Sequence, residues 1–343
     1  MAPLSHASGR NLAVDDCERA AVERGTPLYR ETELSVSTSA PYGDARKLSV
    51  LRPFDPWNSP LCTCPLKYSL HPYTGCSHFC LYCYATSYIG RRPSTPKRGF
   101  LERLRKDLNY VNPRLVIELS SSSDPYPPLE EWLRLTRRTL QVLSERKLKV
   151  LITTKGDIVV RDVDILRETP SAVMITITTI DNSLASKLEP GAPSPSRRLR
   201  AVEKLSEAGI PVGVRIDPIL PGLNDDPASI KELVDAVANA GAKHVVTSTY
   251  KLKPDSYRRI VGAFPELEKL YKRLYFEEGE LIQGYRYLGK PLRARMLAPV
   301  IEFSVARGLT AAVCREGLGV GFLRAPSCDG SHLVASRVPY GRG

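Results

Sequence analysis

Tyr73-Thr74-Gly75-Cys76-Ser77-His78-Phe79-Cys80-Leu81-Tyr82-Cys83-Tyr84 is the stretch on which the fold turns. Cys76, Cys80 and Cys83 stand at C-x3-C-x2-C spacing within one short loop. Their number is informative. A structural zinc site closes with four protein ligands, whereas each iron of a four-iron cubane needs an outside ligand. Three local thiolates therefore leave one iron to a ligand that is not protein. No fourth Cys or His follows at close spacing, which counts against a zinc knuckle; a reactive-thiol loop is the other plain alternative. Residues 67–72 before the loop are strand-like and a helix follows Lys97, so the thiolates sit where the first strand of an α/β sheet ends.

Outward from that loop, strand and helix alternate. Strands are expected at 68–72, 115–119, 148–154, 172–178, 211–216 and 244–248. Helices are expected at 100–110, 129–143, 160–167, 196–208 and 227–240, with 255–276 mostly helical. Leu129, Trp132, Leu133, Leu140 and Leu143 fall on one helical stripe behind Pro127-Pro128. Gly209 and Gly241 close two of the helices. This rhythm implies βαβ crossovers and parallel pairing. Six such units predict an α/β fold with a parallel partial (β/α)6 TIM-type barrel. A closed eight-unit barrel is disfavoured, since only Leu309 to Val313 is strand-like after Phe276. The expected divisions are an N-terminal extension wrapping the core at 1–65, the partial barrel at 66–276 and a C-terminal extension at 277–343. A helix at 14–23 is the one periodic run in the first of these.

The chain has 343 residues, 42% apolar, enough for a full core. No run approaches the ~18 apolar residues of a membrane span. Met1 to Asn11 lacks the apolar run of a signal peptide. A cytoplasmic protein without a membrane partner is expected. Net charge is +12, with Arg and Lys spread through Arg91-Arg92, Lys97-Arg98, Arg103 to Lys106, Arg137-Arg138 and Arg197 to Arg200. A polyanionic partner such as a nucleic acid fits that charge; so does the solvated, Arg-rich surface of a heat-adapted protein.

The loop resembles the signature of the radical S-adenosylmethionine (SAM) superfamily, C-x3-C-x-aromatic-C, with Tyr82 as the aromatic. Pro72-Tyr73-x-Gly75-Cys76-x-His78 and Tyr82-Cys83-Tyr84-Ala85 resemble the spore photoproduct lyase-like branch more narrowly. The resemblance implies a [4Fe-4S] cluster on Cys76, Cys80 and Cys83, with SAM chelating the open iron. It implies reductive cleavage to a 5′-deoxyadenosyl radical that abstracts hydrogen from a substrate, and an electron donor of reduced ferredoxin or flavodoxin type. A nucleic-acid substrate is favoured. Modification of a peptide or small metabolite, and a non-catalytic iron–sulfur or zinc protein that binds nucleic acid, are the alternatives.

In parallel barrels the active site lies at the C-terminal strand ends, and polar groups there need an explanation because buried charge is costly. Ser120 to Pro127 follows the second strand and Thr153-Thr154-Lys155 the third. Thr176 and Thr178, Arg215 and Asp217, and Thr247 and Thr249 are pairs two apart, hence on one face each. The resemblance assigns Ser122, Ser123 and Asp124 to the methionine moiety, Lys155 to its carboxylate, Thr176 to the cofactor's surroundings and the backbone near Tyr82 to the adenine; Arg215 is a further cofactor-binding candidate. Glu189, in Glu189-Pro190-Gly191, also matches the branch. Ser121 stands where the lyase carries its hydrogen-donating cysteine, so thymine-dimer cleavage by that route is not implied. Cys62, Cys64, Cys314 and Cys328 remain. Either they are buried or unlinked thiols or a disulfide, or they meet as a second metal site for an auxiliary iron–sulfur cluster or a zinc, with His332 as a spare ligand. Cys314 or Cys328 as hydrogen donor is a further option. Cys17 carries no assignment.

Overall fold

The computed structural model describes residues 41–54, 61–120 and 122–335. The helix expected at 14–23, most of the expected N-terminal wrap, and Ser121 lie outside the described residues.

Seven strands form a parallel sheet in chain order: β2 (Lys67–Leu70), β3 (Val116–Leu119), β4 (Val150–Thr154), β5 (Ser171–Thr176), β6 (Val212–Ile219), β7 (His244–Thr249) and β8 (Thr310–Val313). β1 (Leu51–Pro53) adds antiparallel to β2, and β9 (Leu323–Arg324) antiparallel to β8. The two outermost strands are not paired with each other, so the barrel is open. Six of the parallel strands are the expected ones. The seventh is the strand-like run after Phe276, brought onto β7 by a long helix at Lys290–Ala306.

The crossovers are helical: α1 (Phe100–Asp107), α2 (Leu135–Glu145), α3 (Val163–Glu168), α4 (Asn182–Leu188), α5 (Pro195–Glu207), α6 (Pro227–Asn239), α7 (Pro254–Ala263) and α8 (Lys290–Ala306). Local chemistry fixes their ends. Ser194 and Asp226 accept from Arg197 and Ser229 N–H, with Pro195 and Pro227 in the first turn, the preferred N-terminal chemistry. Gly209 and Gly241, at φ +73° and +89°, turn the chain out of α5 and α6.

One expected helix is different. The run from 129 to 143 is two pieces, Glu130–Leu133 and α2, separated by Arg134 at φ +50°. The cause is Glu130. Its buried carboxylate accepts from Thr136 and Arg137 N–H and so caps α2 from one turn upstream. The break shifts the helical phase. Trp132 and Leu133, expected on the buried stripe, are 68% and 37% exposed, whereas Leu140 and Leu143 are fully buried.

The lumen changes character along the strands. At their N-terminal halves, Leu151, Ala172, Met174 and Val246 pack with Leu333 and Val334 of a C-terminal turn of helix. Two residues further along, Thr153, Thr176 and Ser248 face a cavity instead. Period-two alternation keeps all of these on the inner face.

Candidate active site

The three-cysteine loop is held by backbone contacts before any cofactor is considered. Gly75, at φ +72°, sits where a Cβ would meet Pro93 O at 2.3 Å. Cys76 N–H donates to Arg92 O at 2.9 Å, and Ser77 and Ser94 exchange hydrogen bonds at 3.0 and 2.9 Å. Leu81 N–H donates to Leu188 O, and Gly191 N–H to His78 O. From α7, the Arg259 guanidinium donates to Leu81 O and Cys83 O, both at 2.9 Å, while paired with Asp255. His78 O, Leu81 O and Cys83 O thus each accept from a segment more than a hundred positions away.

Cys76, Cys80 and Cys83 open into a cavity of about 380 Å³ at the C-terminal ends of the strands. Ser122, Ser123, Asp124, Lys155, Thr176 and Arg215 line the same cavity, as does Tyr82. Every cofactor-binding candidate therefore reaches one space. Burial pushes the Cys76 thiol up to about 11 and the Cys80 thiol higher still. Loading a metal onto them releases protons. Among the described residues, no three Cys, His, Asp or Glu side chains are grouped to hold a single metal ion. Thiols spaced around a cavity wall suit a cluster, in which each binds a different iron.

The candidates differ in what else they do. Asp124 is saturated: Oδ1 accepts from Tyr126 N–H and Thr154 Oγ1 at 2.9 and 2.5 Å, and Oδ2 accepts from Lys155 N–H at 2.7 Å and lies 3.3 Å from His78 Nδ1. Those four partners use its acceptor sites. Burial alone would raise its pKa, but His78 and these hydrogen bonds hold it down at about 2. Asp124 therefore ties the cysteine loop to the end of β4. Ser123 likewise donates to Tyr73 O at 3.1 Å. Lys155 points the other way, with Nζ 5.6 Å from the Tyr82 ring centre and 4.0 Å from Glu189 Oε1.

Glu189 is the buried centre of that wall. Tyr82 donates its hydroxyl to it, Thr178 donates at 3.1 Å, and Arg198 pairs with it at 2.5 Å. Burial would raise its pKa, yet Arg198 and Lys155 keep it below the ordinary carboxylate value. On the opposite wall Arg215 pairs with Asp217 at 2.5 Å, and Ser248 donates to Asp217. On the sixth parallel strand Ser248, between the expected Thr247 and Thr249, makes this contact; Thr247 turns outward and donates to Ile216 O. Sequence inspection also missed Glu118, Lys251 and Arg315, all on the cavity wall. Lys251 is held at 2.9 Å by Glu316, which also caps Thr249 N–H. The signal for these was charge within β-rich runs.

The family model described as the radical SAM superfamily matches residues 70–235. An uncharacterised protein of Methanocaldococcus jannaschii is 30% identical over 230 residues, covering 62% of this chain and 85% of that one. The chain belongs to the radical SAM superfamily. It is a radical SAM enzyme, and the family implies SAM and an iron–sulfur cluster as cofactors. An uncharacterised protein of Mycobacterium tuberculosis is 28% identical, covering 71% of this enzyme and 76% of the relative. A Pseudomonas phage M6 protein named a radical SAM Nalpha-GlyT isomerase is 25% identical, with 53% of its length covered. In fold, the enzyme resembles a spore photoproduct lyase variant solved with a dinucleoside spore photoproduct, at TM-score 0.58, 18% identity, and 72% and 75% coverage. Among the described residues no helix is long and apolar enough to cross a membrane.

Among the described residues, the other four cysteines, Cys62, Cys64, Cys314 and Cys328, lie near one another. Cys64 and Cys328 have their sulfurs 3.5 Å apart without a bond between them. Cys62 lies close enough to Cys64, and Cys314 to Cys328, for each to affect the other's acidity. His332 does not join them; its ring nitrogens face Ser327 and Thr310.

Proposed function

We propose that this enzyme carries a [4Fe-4S] cluster on Cys76, Cys80 and Cys83, cleaves SAM reductively and takes hydrogen from a nucleic acid. When bound, the cluster and SAM would supply a 5′-deoxyadenosyl radical, with the electron from a reduced ferredoxin- or flavodoxin-type donor. The carrying observation is that the three thiols share one cavity with Lys155, Thr176 and Arg215 at the strand ends.

Each wall then has a task. Lys155, steadied by Glu189 and the Tyr82 ring, offers a cation to the SAM carboxylate. Ser122 and Thr176 offer hydroxyls to the cofactor. Ser123 and Asp124 act as positioning residues, because their polar atoms are already used within the chain. Arg215, fixed by Asp217 and Ser248, faces the remaining space and can bind cofactor or an anionic substrate. Tyr82 holds the loop with its hydroxyl, leaving the neighbouring backbone for the adenine.

A nucleic-acid substrate is supported by the net charge of +12 and by exposed Arg91, Arg92 and Arg98 on the segment bonded to the cysteine loop. It is also supported by the fold's likeness to the lyase solved with a dinucleoside. Dimer cleavage by the lyase's own route is not proposed, since Ser121 occupies the aligned cysteine position. Anaerobically reconstituted enzyme with dithionite and SAM should release 5′-deoxyadenosine, and a strain lacking the gene should lose or accumulate one modified nucleoside. No 5′-deoxyadenosine would overturn the enzymatic mechanism; turnover with unchanged nucleosides and a changed peptide or metabolite would overturn the substrate.

A further inference from the structure

Cys62, Cys64, Cys314 and Cys328 form a second thiol cluster that the proposed chemistry does not use. They come from three separate segments. Cys62 and Cys64 lie on the segment entering β2, Cys314 directly follows β8, and Cys328 lies in the loop after β9. Cys64 and Cys328 are in direct contact, and Cys62 lies close enough to Cys64, and Cys314 to Cys328, to affect its acidity. Cys64 and Cys328 stand 3.5 Å apart, close to the ~3.8 Å edge that two thiolates span when each lies ~2.3 Å from one tetrahedral zinc. Lys67 acts on Cys64 and Arg215 on Cys314, and each of these cations is shared with carboxylates, Lys67 with Glu118 and Asp329 and Arg215 with Asp217.

We infer that these four cysteines are a tetrathiolate site for one thiophilic divalent ion of the zinc class, which staples the first parallel strand to the last across the open side of the barrel. The described side chains are not yet grouped around a common point, so loading requires the four thiols to turn towards one another. Cys64 and Cys328, in direct contact, suit one shared ion; a cubane would bind them to different irons. The position gives the ion its role. β2 and β8 are not hydrogen-bonded to each other. What joins their ends among the described residues is Lys67, paired with Glu118 at 2.7 Å and with Asp329, next to Cys328, at 2.5 Å. A metal at the cysteines would add a second, stronger clasp in the wall of the same cavity, which Cys62, Cys64 and Cys314 line.

The test uses the full chain with Cys76, Cys80 and Cys83 all replaced by Ala, so that its outcome is independent of the first cluster. This variant, purified without chelator, should retain one zinc or ferrous ion per chain without acid-labile sulfide. Loaded with cobalt(II), it should show the intense thiolate-to-cobalt absorption of a tetrahedral tetrathiolate. Adding Cys328→Ser should weaken and shift that absorption, and chelation of the unsubstituted protein should lower its melting temperature. A Cys64–Cys328 disulfide in freshly isolated protein, retained sulfide in the triple variant, or a cobalt spectrum without thiolate character would each overturn the site. Absence of SAM cleavage by the unsubstituted, reconstituted enzyme, with the cobalt signature of the triple variant intact, would overturn only the function proposed above.

Discussion

Gly191 shows how narrowly the cysteine loop is seated. A Cβ there would stand 2.0 Å from Ser77 O and 3.0 Å from His78 Cα, and both are backbone atoms of the loop. Gly191→Ala must push the loop away, at a cost of about 1–3 kcal/mol for overpacking. It should lower the iron retained after reconstitution, measured as iron and sulfide per chain. Gly262 is the counter-case, exposed near the end of α7 with open space at its Cβ. Gly262→Ala should stabilise by about 0.5–1 kcal/mol, read from denaturant melts, and leave the iron content unchanged. His71 gives a prediction in pH. Burial and the Lys97 charge hold its imidazole down at about 4. The unfolded chain then takes up the proton first, so the stabilising effect is complete above the ordinary value near 6.5 and fades as pH falls towards 4. An imidazole resonance titrating near 6.5 in the folded protein would refute this. The cysteine trio was legible because its members are neighbours in sequence. Gly191 was not, because its constraint comes from a loop more than a hundred positions away, and a lone Gly-Ala-Pro-Ser word reads equally well as a turn.

At the scale of elements, α7 contributes most to the site without touching the cavity's centre. Arg259 spends its guanidinium on Leu81 O, Cys83 O, Thr86 Oγ1 and Asp255. Arg259→Ala removes the guanidinium donor to Leu81 O and one of two donors to Cys83 O, the other being Thr86 Oγ1, at about 1–3 kcal/mol for a lost charge-assisted hydrogen bond. It should reduce cluster retention while the cavity residues stay in place. Arg259→Lys should not restore it, since one ammonium cannot reproduce a fork across two carbonyls; full rescue by Lys would reduce the role to charge. The strand–helix rhythm was legible from periodicity, and so was the run that became β8. The break at Arg134 was not. Leu129 to Leu143 is an unbroken apolar stripe in sequence, and only the Glu130 carboxylate folding back onto Thr136 and Arg137 N–H interrupts it. The choice of Ser248 over Thr247 was hidden for a related reason. β7 is buried throughout, and a strand covered on both faces carries no polar alternation to follow.

At the scale of the molecule, the open barrel sets two demands that the chain meets with different residues. The lumen needs a floor, and Leu333 and Val334 supply it against Leu151, Met174 and Val246. Its mouth needs a surface for the substrate, and there the charge of +12 admits two explanations with different salt behaviour. Arg92 and Arg98 are exposed on the segment beside the cysteine loop, and neither belongs to the cavity wall. The Arg92 contact to the loop is made by its carbonyl, which an alanine keeps. If the two guanidiniums neutralise phosphates, Arg92→Ala with Arg98→Ala should weaken nucleic-acid binding. It should also flatten log K against log salt by about 0.9 per lost contact on duplex, or about 0.7 on a single strand. The 5′-deoxyadenosine released without substrate should be unchanged, because the cofactor's surroundings are untouched. An unaltered slope would make this charge a solvated surface, of the kind that ion-pair-rich heat-adapted proteins carry. The substrate would then have to be recognised from inside the cavity, where Arg215, Lys251 and Arg315 are the cations on its wall besides Lys67 and Lys155.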